Sequence, residues 1–184
     1  MHELSLHVLD LVENSTGAGA DQVTVIVEEN SIRDELRIRI EDNGRGMDAD
    51  MVAKVTDPFV TTRTTRKVGL GLPLMDMPTR MCDGCLKITS AKGAGTTVDA
   101  TWRLSHLDRP PLGNMAATLK TILVMNPELR FRYCHTVGER SFLLDSGEIR
   151  LALGDLPLTQ PEVLEWIDAY LKENLSILYG GKQA

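Results

Sequence analysis

The sequence predicts a two-layer α/β sandwich (α+β class) in which helices cover one face of a mixed, mostly antiparallel sheet. Residues 22–29 and 36–42 alternate apolar and polar side chains, which is typical of half-buried strands. Residues 86–90 and 96–104 alternate in the same way on either side of the turn AKGAG. Helical periodicity precedes each pair of strands. Helices gathered on one face of the sheet would bury all of these apolar faces together.

The helices are predicted by apolar residues that recur at helical spacing, and they span residues 3–16, 48–55 and 70–81. Gly17 and Gly19 follow the first helix and are expected to end it. Asp48 is a suitable N-cap for the second helix. Pro78 falls near the end of the third, where we expect it to kink or end the helix because proline lacks a backbone N–H.

The pattern changes after the proline-containing turn at 109–113. The segment MAATLKTILVM is predicted to be helical, LRFRYCH and RSFLLD to form a hairpin, and residues 159–178 to form an amphipathic helix. We therefore divide the chain into one domain at 1–108 and a C-terminal α+β extension at 109–184. The extension shows no nucleophile, metal-ligand set or phosphate loop, and we expect it to pack on the domain or to bind a protein partner.

Composition excludes several classes of function. The chain has 184 residues, of which 42% are hydrophobic, so it can bury a core. Its formal charge of −6 and its pI near 5.2 provide no basic stripe for a phosphate backbone, so nucleic acid is not an expected partner. The apolar runs are too short to span a bilayer and no leader peptide is recognisable, which predicts a cytoplasmic protein without a membrane partner.

The three cysteines give no even disulfide framework, in agreement with a reducing compartment. Cys82 and Cys85 form a lone CxxC motif, which Cys134 and His135 could complete to a zinc site. The alternative is a glycine-containing turn that carries two thiols, and it is the more common occurrence of a single CxxC motif.

The run DNGRGM at 42–47 follows the second strand and precedes the second helix. Asp42 can accept a hydrogen bond from an exocyclic amine, and Gly44 and Gly46 let the backbone turn sharply and approach a flat ring. Asn-Gly after an alternating strand also signals a hairpin. A hairpin requires a returning strand, however, and the residues that follow are helical. The run is therefore interpreted as a purine-binding loop.

One face of the first helix carries polar residues that need an explanation, since His7, Asp10 and Asn14 fall on one stripe. Asn14 offers a neutral amide oxygen to a hard cation such as Mg²⁺. Asp10, one turn earlier, could polarise a water beside that ion. The alternative is that Asn14 caps the following turn and that Asp10 is solvated.

The most specific segment is DPFVTTRTTRKVGLGLPL at 57–74. Gly69 and Gly71 directly precede a helix start, where free backbone N–H groups can receive phosphates. The loop before them carries three cations, Arg63, Arg66 and Lys67. A loop of about twelve residues in a compact domain is usually functional, and residues 57–68 are predicted to form a lid whose cations contact phosphates. The alternative is an ordinary glycine-rich loop with solvated cations.

A fourth element, GAGTT at 93–97, places the Thr96 hydroxyl at a strand start. The order and spacing of these four stretches resemble the ATPase superfamily of gyrase, the heat-shock chaperone, sensor histidine kinases and mismatch-repair MutL (GHKL). DLVENSTGAGA resembles its N box, DNGRGM its G1 box, DPFVTTRTT the F box and lid of the histidine-kinase branch, VGLGLPL its G2 box, and GAGTT its G3 element. The resemblance covers about residues 1–105. It implies a Bergerat-type ATP-binding fold with ATP and Mg²⁺ as cofactors.

The resemblance also implies roles for single residues. Asn14 would hold Mg²⁺, Asp42 would accept from the adenine amino group, and Gly69 and Gly71 would receive the phosphates. Members that hydrolyse ATP place a glutamate where this chain has Asp10, and Glu13 is the second candidate for a catalytic carboxylate. The other residues implied to bind nucleotide lie within the matched motifs and are Gly44, Gly46, Met47, Phe59, Thr62, Arg63, Lys67, Leu70, Leu72 and Thr96.

Sensor kinases carry a phosphoacceptor histidine on a separate dimerisation helix, and this chain offers no such segment, since His7 lies inside the first helix. Autophosphorylation on histidine is therefore not expected. Two functions fit the motifs: an ATPase or protein kinase that phosphorylates a partner protein, and an ATP-gated binding module without phosphoryl transfer. A structural protein that keeps the fold but binds no nucleotide is the third alternative.

Overall fold

The computed structural model describes residues 3–56, 71–154 and 156–181. The helices within these ranges are α1 (Leu4–Gly17), α2 (Ala49–Thr56), α3 (Gly71–Met81), α4 (Met115–Met125), α5 (Ser146–Leu153) and α6 (Pro161–Leu178). The strands are β1 (Gln22–Asn30), β2 (Glu35–Asp42), β3 (Cys85–Ser90), β4 (Thr96–Arg103), β5 (Arg130–Val137) and β6 (Arg140–Asp145). The seven elements before residue 105 lie where the sequence predicts them, with boundaries that differ by one residue at most.

All six strands belong to one sheet, in the order β3-β4-β2-β1-β5-β6. β1 and β5 run parallel, with Val25 opposite Tyr133, and the other neighbouring strands are antiparallel. The predicted hairpin of the C-terminal segment therefore extends the sheet of the first hundred residues through β1. The predicted mixed, mostly antiparallel sheet is confirmed.

Helices cover one face of this sheet, because alternation along each strand separates apolar from polar side chains. In β2, Leu36, Ile38 and Ile40 are buried against the helices, whereas Arg37 points to the other face. There the guanidinium of Arg37 donates two hydrogen bonds to the carboxylate of Asp99, at 2.8 and 2.5 Å. The period-two pattern read from the sequence is thus the physical reason for the two-layer architecture.

The two parts of the chain bury their apolar side chains in one cluster. Leu4, Val8 and Leu11 of α1 pack in the same core as residues of α4 and α6, and α4 contacts both α1 and α6. Burial of these side chains is the main favourable term for such a fold. The principal contributions from the C-terminal segment come from Leu119, Ile122, Phe131, Tyr133, Ile167 and Leu171, all at most 1% exposed.

Two local features differ from the sequence prediction. Of the two outcomes expected at Pro78, the end of the helix does not occur, and α3 continues to Met81 because the proline removes only one N–H close to the C-terminus. Beyond Met81, Cys82 N and Gly84 N both donate to the Thr79 carbonyl. α5 was not predicted because it is short and follows β6 without a loop. Its first turn is capped by Asp145, whose side chain accepts from Gly147 N.

Of the helices in the described ranges, none combines the length and apolar character that a membrane span requires.

Candidate functional site

The G1-like loop and the G3-like turn meet at one end of the central strands of the sheet. Asp42 is the last residue of β2 and Thr96 is the first residue of β4, and the two are directly opposite in the antiparallel register. The loop after Asp42 and the turn before Thr96 therefore lie side by side. Arg45 O accepts from Gly93 N at 2.8 Å, which joins them through the backbone.

The Asp42 carboxylate is held by three donors. Oδ1 accepts from Gly44 N at 2.9 Å and from Thr96 N at 3.2 Å. Oδ2 lies 2.8 Å from the hydroxyl of Ser15 on α1. Because each carboxylate oxygen has two acceptor positions, Oδ1 is saturated and Oδ2 retains one. The half-buried side chain is thus fixed in orientation and can accept one further hydrogen bond.

Two glycines let the loop and the turn approach this closely. Gly46 and Gly95 both have positive φ, at 63° and 79°. A Cβ at Gly95 would overlap with the carbonyl of Asp42, and one at Gly46 would overlap with the carbonyl of Ala91. Any larger residue at either position would displace backbone that positions Asp42.

Ser90 links the same elements from the end of β3 and was missed by sequence reasoning. Its hydroxyl donates to Gly95 O at 2.8 Å and accepts from Met47 N at 2.8 Å. The Thr96 hydroxyl lies 2.9 Å from Ser90 Oγ. Since the single proton of Ser90 is used on Gly95, Thr96 is the donor of that bond, and its oxygen remains an acceptor.

The loop is also joined to the end of α1. Arg45 N donates to Ala18 O at 3.0 Å, and Gly44 leaves so little space that a Cβ would lie 3.1 Å from the same oxygen. Asn43 has a structural role, since its Oδ1 accepts from Asp21 N and Gln22 N and its Nδ2 donates to Asp21 Oδ1. The C-terminal half of α1 therefore forms one side of the site.

The predicted stripe on α1 lies beside this loop. Asn14 directly precedes Ser15, which contacts Asp42, and its side chain is half-buried. Asp10 lies one turn earlier and is exposed, and Glu13 is exposed as well. The structure thus brings together Asp42 and Thr96 with the backbone of the G1-like loop, and Asn14 lies on the same C-terminal half of α1 as Ser15. Both candidate carboxylates, Asp10 and Glu13, are left in contact with solvent.

Part of the predicted site lies outside the described residues. These are Phe59, Thr62, Arg63, Arg66, Lys67, Gly69 and Leu70, together with the predicted lid at 57–68. α3 begins at Gly71, so Gly71 and Leu72 belong to its first turn. The helix predicted at 70–81 is therefore present, but Gly71 lies in its first turn and not before it.

The zinc alternative does not agree with the sheet order. Cys85 begins β3 at one edge, whereas Cys134 lies on β5, four strands away or about 19 Å at the usual strand spacing. His135 is buried on the opposite face of β5 from Cys134. Within the described ranges, no group of three or more histidine, cysteine or acidic side chains could hold a metal. Burial raises the pKa of the Cys82 thiol.

Comparison with known proteins places this geometry in a wider group. A family model described as histidine kinase-, DNA gyrase B- and HSP90-like ATPase matches residues 2–106. The chain is 39% identical over 105 residues to the sensor protein kinase FleS of Pseudomonas aeruginosa, which covers 57% of this chain and 25% of that protein. It is 40% identical over 60 residues to the signal transduction histidine-protein kinase AtoS of Escherichia coli, which covers 33% of this chain and 10% of that protein.

The chain thus spans at most a quarter of the length of these relatives. A solved structure, the N-terminal domain of a DNA repair protein, matches 97% of this chain and 57% of its own with a TM-score of 0.52 at 16% identity. That likeness concerns the fold alone, and it includes the C-terminal strands and helices.

Proposed function

Since this chain belongs to the histidine kinase-, DNA gyrase B- and HSP90-like ATPase family, we propose that it binds Mg-ATP at the Asp42 site and uses it to modify or regulate a partner protein. The observation that carries the proposal is the single acceptor position left on Asp42 Oδ2 beside a glycine-lined loop. One fixed carboxylate acceptor matches the exocyclic amine of adenine.

In this proposal each described residue has a defined task. Asp42 accepts from the adenine amino group, and Ser15 fixes the orientation of its carboxylate. Gly44, Gly46 and Gly95 keep the loop low enough for a flat ring to approach the backbone. The Thr96 oxygen is a second acceptor at the same edge. The family resemblance extends the site to the phosphate side, where Gly69 and Gly71 would donate backbone N–H groups.

Asn14 is proposed to supply an oxygen ligand to Mg²⁺. A neutral amide suits this ion, which prefers oxygen donors and keeps several waters. Asp10 lies four residues earlier, about 6 Å along the helix axis, and is proposed to polarise a water or a hydroxyl near the phosphates. Glu13 is the second candidate, but it points about 100° away from Asn14 on the helix.

Two outcomes of phosphoryl chemistry fit this site, hydrolysis and transfer to a protein, and the alternative is ATP-gated binding without either. The relatives matched here include proteins named as sensor and histidine-protein kinases, which supports a signalling role. Purified protein incubated with Mg-ATP and assayed for both ADP release and label transfer to proteins of its native extract separates the three.

The Asp42→Asn variant tests adenine recognition. The amide keeps the shape of the side chain but weakens it as an acceptor and places a donor among donors, and an unpaired buried polar group costs about 1–3 kcal/mol. We expect ATP affinity to fall about tenfold or more, as measured by calorimetry. Glu41→Gln is the matched control, because Glu41 pairs with Arg39 on the open face of the sheet. Equal affinity in the wild type and Asp42→Asn would remove adenine from this site.

The Asn14→Ala variant tests the metal. If the amide oxygen ligates Mg²⁺ that also contacts the phosphates, ATP affinity falls in magnesium and changes little in chelator. Asn43→Ala is the contrasting variant, since Asn43 binds only backbone and Asp21, and we expect it to lower stability under both conditions. A loss of equal size with and without magnesium in Asn14→Ala would assign that residue a structural role instead.

A further inference from the structure

The solvent-facing side of α6 carries large aromatic and apolar groups between carboxylates. Trp166 is 45% exposed and Ile177 is 56% exposed. Glu162, Glu165 and Glu173 are exposed on the same side of the helix. Together with Tyr170 these residues form the α6 stripe, which extends about 22 Å along the helix from Glu162 to Ile177. Exposed apolar residues are common singly, but here they are aligned and separated by one kind of charge.

Trp166 is held in place by a second aromatic ring. Its ring is stacked on Tyr170 with centroids 5.3 Å apart and an interplanar angle of 15°. Tyr170 in turn packs edge-on against Phe142, at 5.9 Å, and Phe142 is 6% exposed. A tryptophan that is already ordered loses little freedom when a partner covers it, and tryptophan and tyrosine are the residues most enriched at energetically dominant contact points.

Within the described ranges, the three glutamates of the α6 stripe have no ion-pair partner. Lys172, the only basic residue in α6, bonds to Asp168 at 2.6 Å, and Lys120 of α4 reaches the other oxygen of that carboxylate at 3.3 Å. Arg140 donates to the Leu178 carbonyl. None of the three glutamates forms an ion pair within the described part of the chain. The stripe therefore presents three negative charges and an aromatic face without local compensation.

We propose that the α6 stripe is the docking surface for a basic segment of a partner protein, in which lysine or arginine side chains flank an apolar residue. The cations would contact the three glutamates and the face of Trp166. A second copy of this chain fits poorly, because a two-fold contact would gather six glutamates at one interface with no cation of the stripe between them. Anionic lipids and nucleic acid are repelled by the same charges. The surface lies outside the proposed nucleotide site and uses none of its residues.

A lysine–leucine amphipathic peptide of about 20 residues is a suitable probe, and the same peptide with glutamate in place of lysine is its control. The chain has two tryptophans, and Trp102 is buried at 1% exposure, so a change in emission on binding reports Trp166. We expect a blue shift with the lysine peptide and none with the glutamate peptide. Added salt should weaken the binding, since the charges are exposed.

Calorimetry on variants then assigns the surface. Trp166→Ala and the triple variant E162Q/E165Q/E173Q should each weaken the lysine peptide about tenfold. The matched control E128Q/E139Q/E148Q removes the same charge from exposed positions on other elements, and its affinity should stay within about twofold of wild type.

Three results would overturn the proposal: equal weakening by both triple variants, unchanged affinity in Trp166→Ala, or absence of binding by the wild type. Sedimentation of the peptide-free protein is the last arm. A dimer that Trp166→Ala dissociates would show that a second copy covers the stripe instead.

Discussion

Asp42 and Glu29 lie near the C-terminal ends of the two central strands, β2 and β1, and because these strands are antiparallel the two carboxylates are at opposite ends of the sheet, in different surroundings. Asp42 receives one hydroxyl and two backbone N–H groups and keeps an acceptor position. Glu29 receives His135 Nε2 at 3.0 Å and the Tyr179 hydroxyl on the same oxygen, in a site where its side chain is 16% exposed. Asp42 is thus held on both oxygens by backbone and a hydroxyl beside a glycine-lined loop, whereas both bonds to Glu29 fall on Oε1 and come from side chains of the core.

The partners of Glu29 continue inward and connect three elements. The Tyr133 hydroxyl lies 2.9 Å from His135 Nδ1, and both side chains are fully buried on β5. Tyr179 lies at the C-terminal end of α6. With Glu29 ionised, Nε2 of His135 is the donor to it, and the Tyr133 hydroxyl is bonded to the other ring nitrogen. These four residues, called the Glu29 network, join β1, β5 and α6.

Charge states in the Glu29 network follow from burial and hydrogen bonding. Burial acts to raise the pKa of Glu29, but the bonds from His135 and Tyr179, with Arg109 nearby, hold that pKa below its ordinary value. Burial and contact with Glu29 raise the pKa of Tyr179, and burial raises the pKa of Tyr133. Hydrogen bonds among these buried side chains stabilise the fold, whereas the Asp42 carboxylate lies at the glycine-lined loop where the nucleotide is proposed to bind.

The largest effect should come from removing the central member of the Glu29 network. His135→Ala leaves the buried Tyr133 hydroxyl without its partner, removes one of the two hydrogen bonds to Glu29 and opens a cavity, so we expect a loss of about 3–5 kcal/mol in the free energy of unfolding. ATP affinity of the folded fraction should change less than about twofold, because the Asp42 site lies at the opposite end of the central strands. Urea unfolding and calorimetry measure the two quantities.

Cys134→Ala is the control for this variant, since Cys134 is the neighbouring residue on the opposite face of β5. Its cost should stay below about 1 kcal/mol. If His135→Ala weakened ATP binding as strongly as it lowered stability, the two ends of the central strands would be energetically coupled. The surroundings of Asp42 and Glu29 would then not be independent.

The next largest effect on stability should come from the turn beside Asp42, which contains two glycines. Gly95 and Gly93 both have positive φ, at 79° and 74°, but only Gly95 faces backbone, whereas a Cβ at Gly93 meets open space. Gly93→Ala should cost about 1 kcal/mol, from the backbone conformation alone, and Gly95→Ala about 3 kcal/mol. Only Gly95→Ala should weaken ATP, because the displaced carbonyl belongs to Asp42. Equal effects of the two substitutions on unfolding in urea would show that the turn adapts.

Features set by local sequence patterns could be predicted, whereas those set by tertiary packing could not. Strands and helices before residue 105 follow from periodicity, which is local. The meeting of Asp42 with Thr96 follows from antiparallel register once β2 and β4 are neighbours. The pairing of β5 with β1 does not follow, because a parallel neighbour is chosen by packing across a long connection. The apolar spacing in the sequence predicts the buried face of α6, but no sequence pattern indicates the Glu29 network.

Two site residues could have been found from the sequence. Ser15 falls on the apolar stripe of α1 with Leu4 and Leu11, and a serine at a buried position needs a hydrogen-bond partner. Its single proton has two acceptors within reach, Asp42 Oδ2 at 2.8 Å and the Leu11 carbonyl at 3.0 Å. Ser90 ends a strand directly before a glycine turn, where a hydroxyl often bonds backbone. Its bonds to Met47 and Gly95 depend on tertiary contact between two loops, which no local signal specifies.

The smallest expected effect is on the pH dependence of the free energy of unfolding, and it tests the charge of Glu29. Because its pKa is lower in the folded protein than the ordinary value of 4.5, its contribution is fully present above that value and is lost as the pH falls through the folded pKa. Other carboxylates with lowered pKa, such as Asp99 and Asp168, make the wild type lose stability in acid as well. Glu29→Gln removes only one of these contributions. The variant should therefore lose less free energy of unfolding than the wild type between about pH 5 and pH 3, as measured by urea unfolding at each pH. In Tyr179→Phe, Glu29 keeps its bond to His135. The loss of free energy of unfolding in acid should therefore lie between those of the wild type and Glu29→Gln. Parallel pH profiles for the wild type and Glu29→Gln would mean that Glu29 is not held as an anion by its partners, and its contrast with Asp42 would then rest on geometry alone.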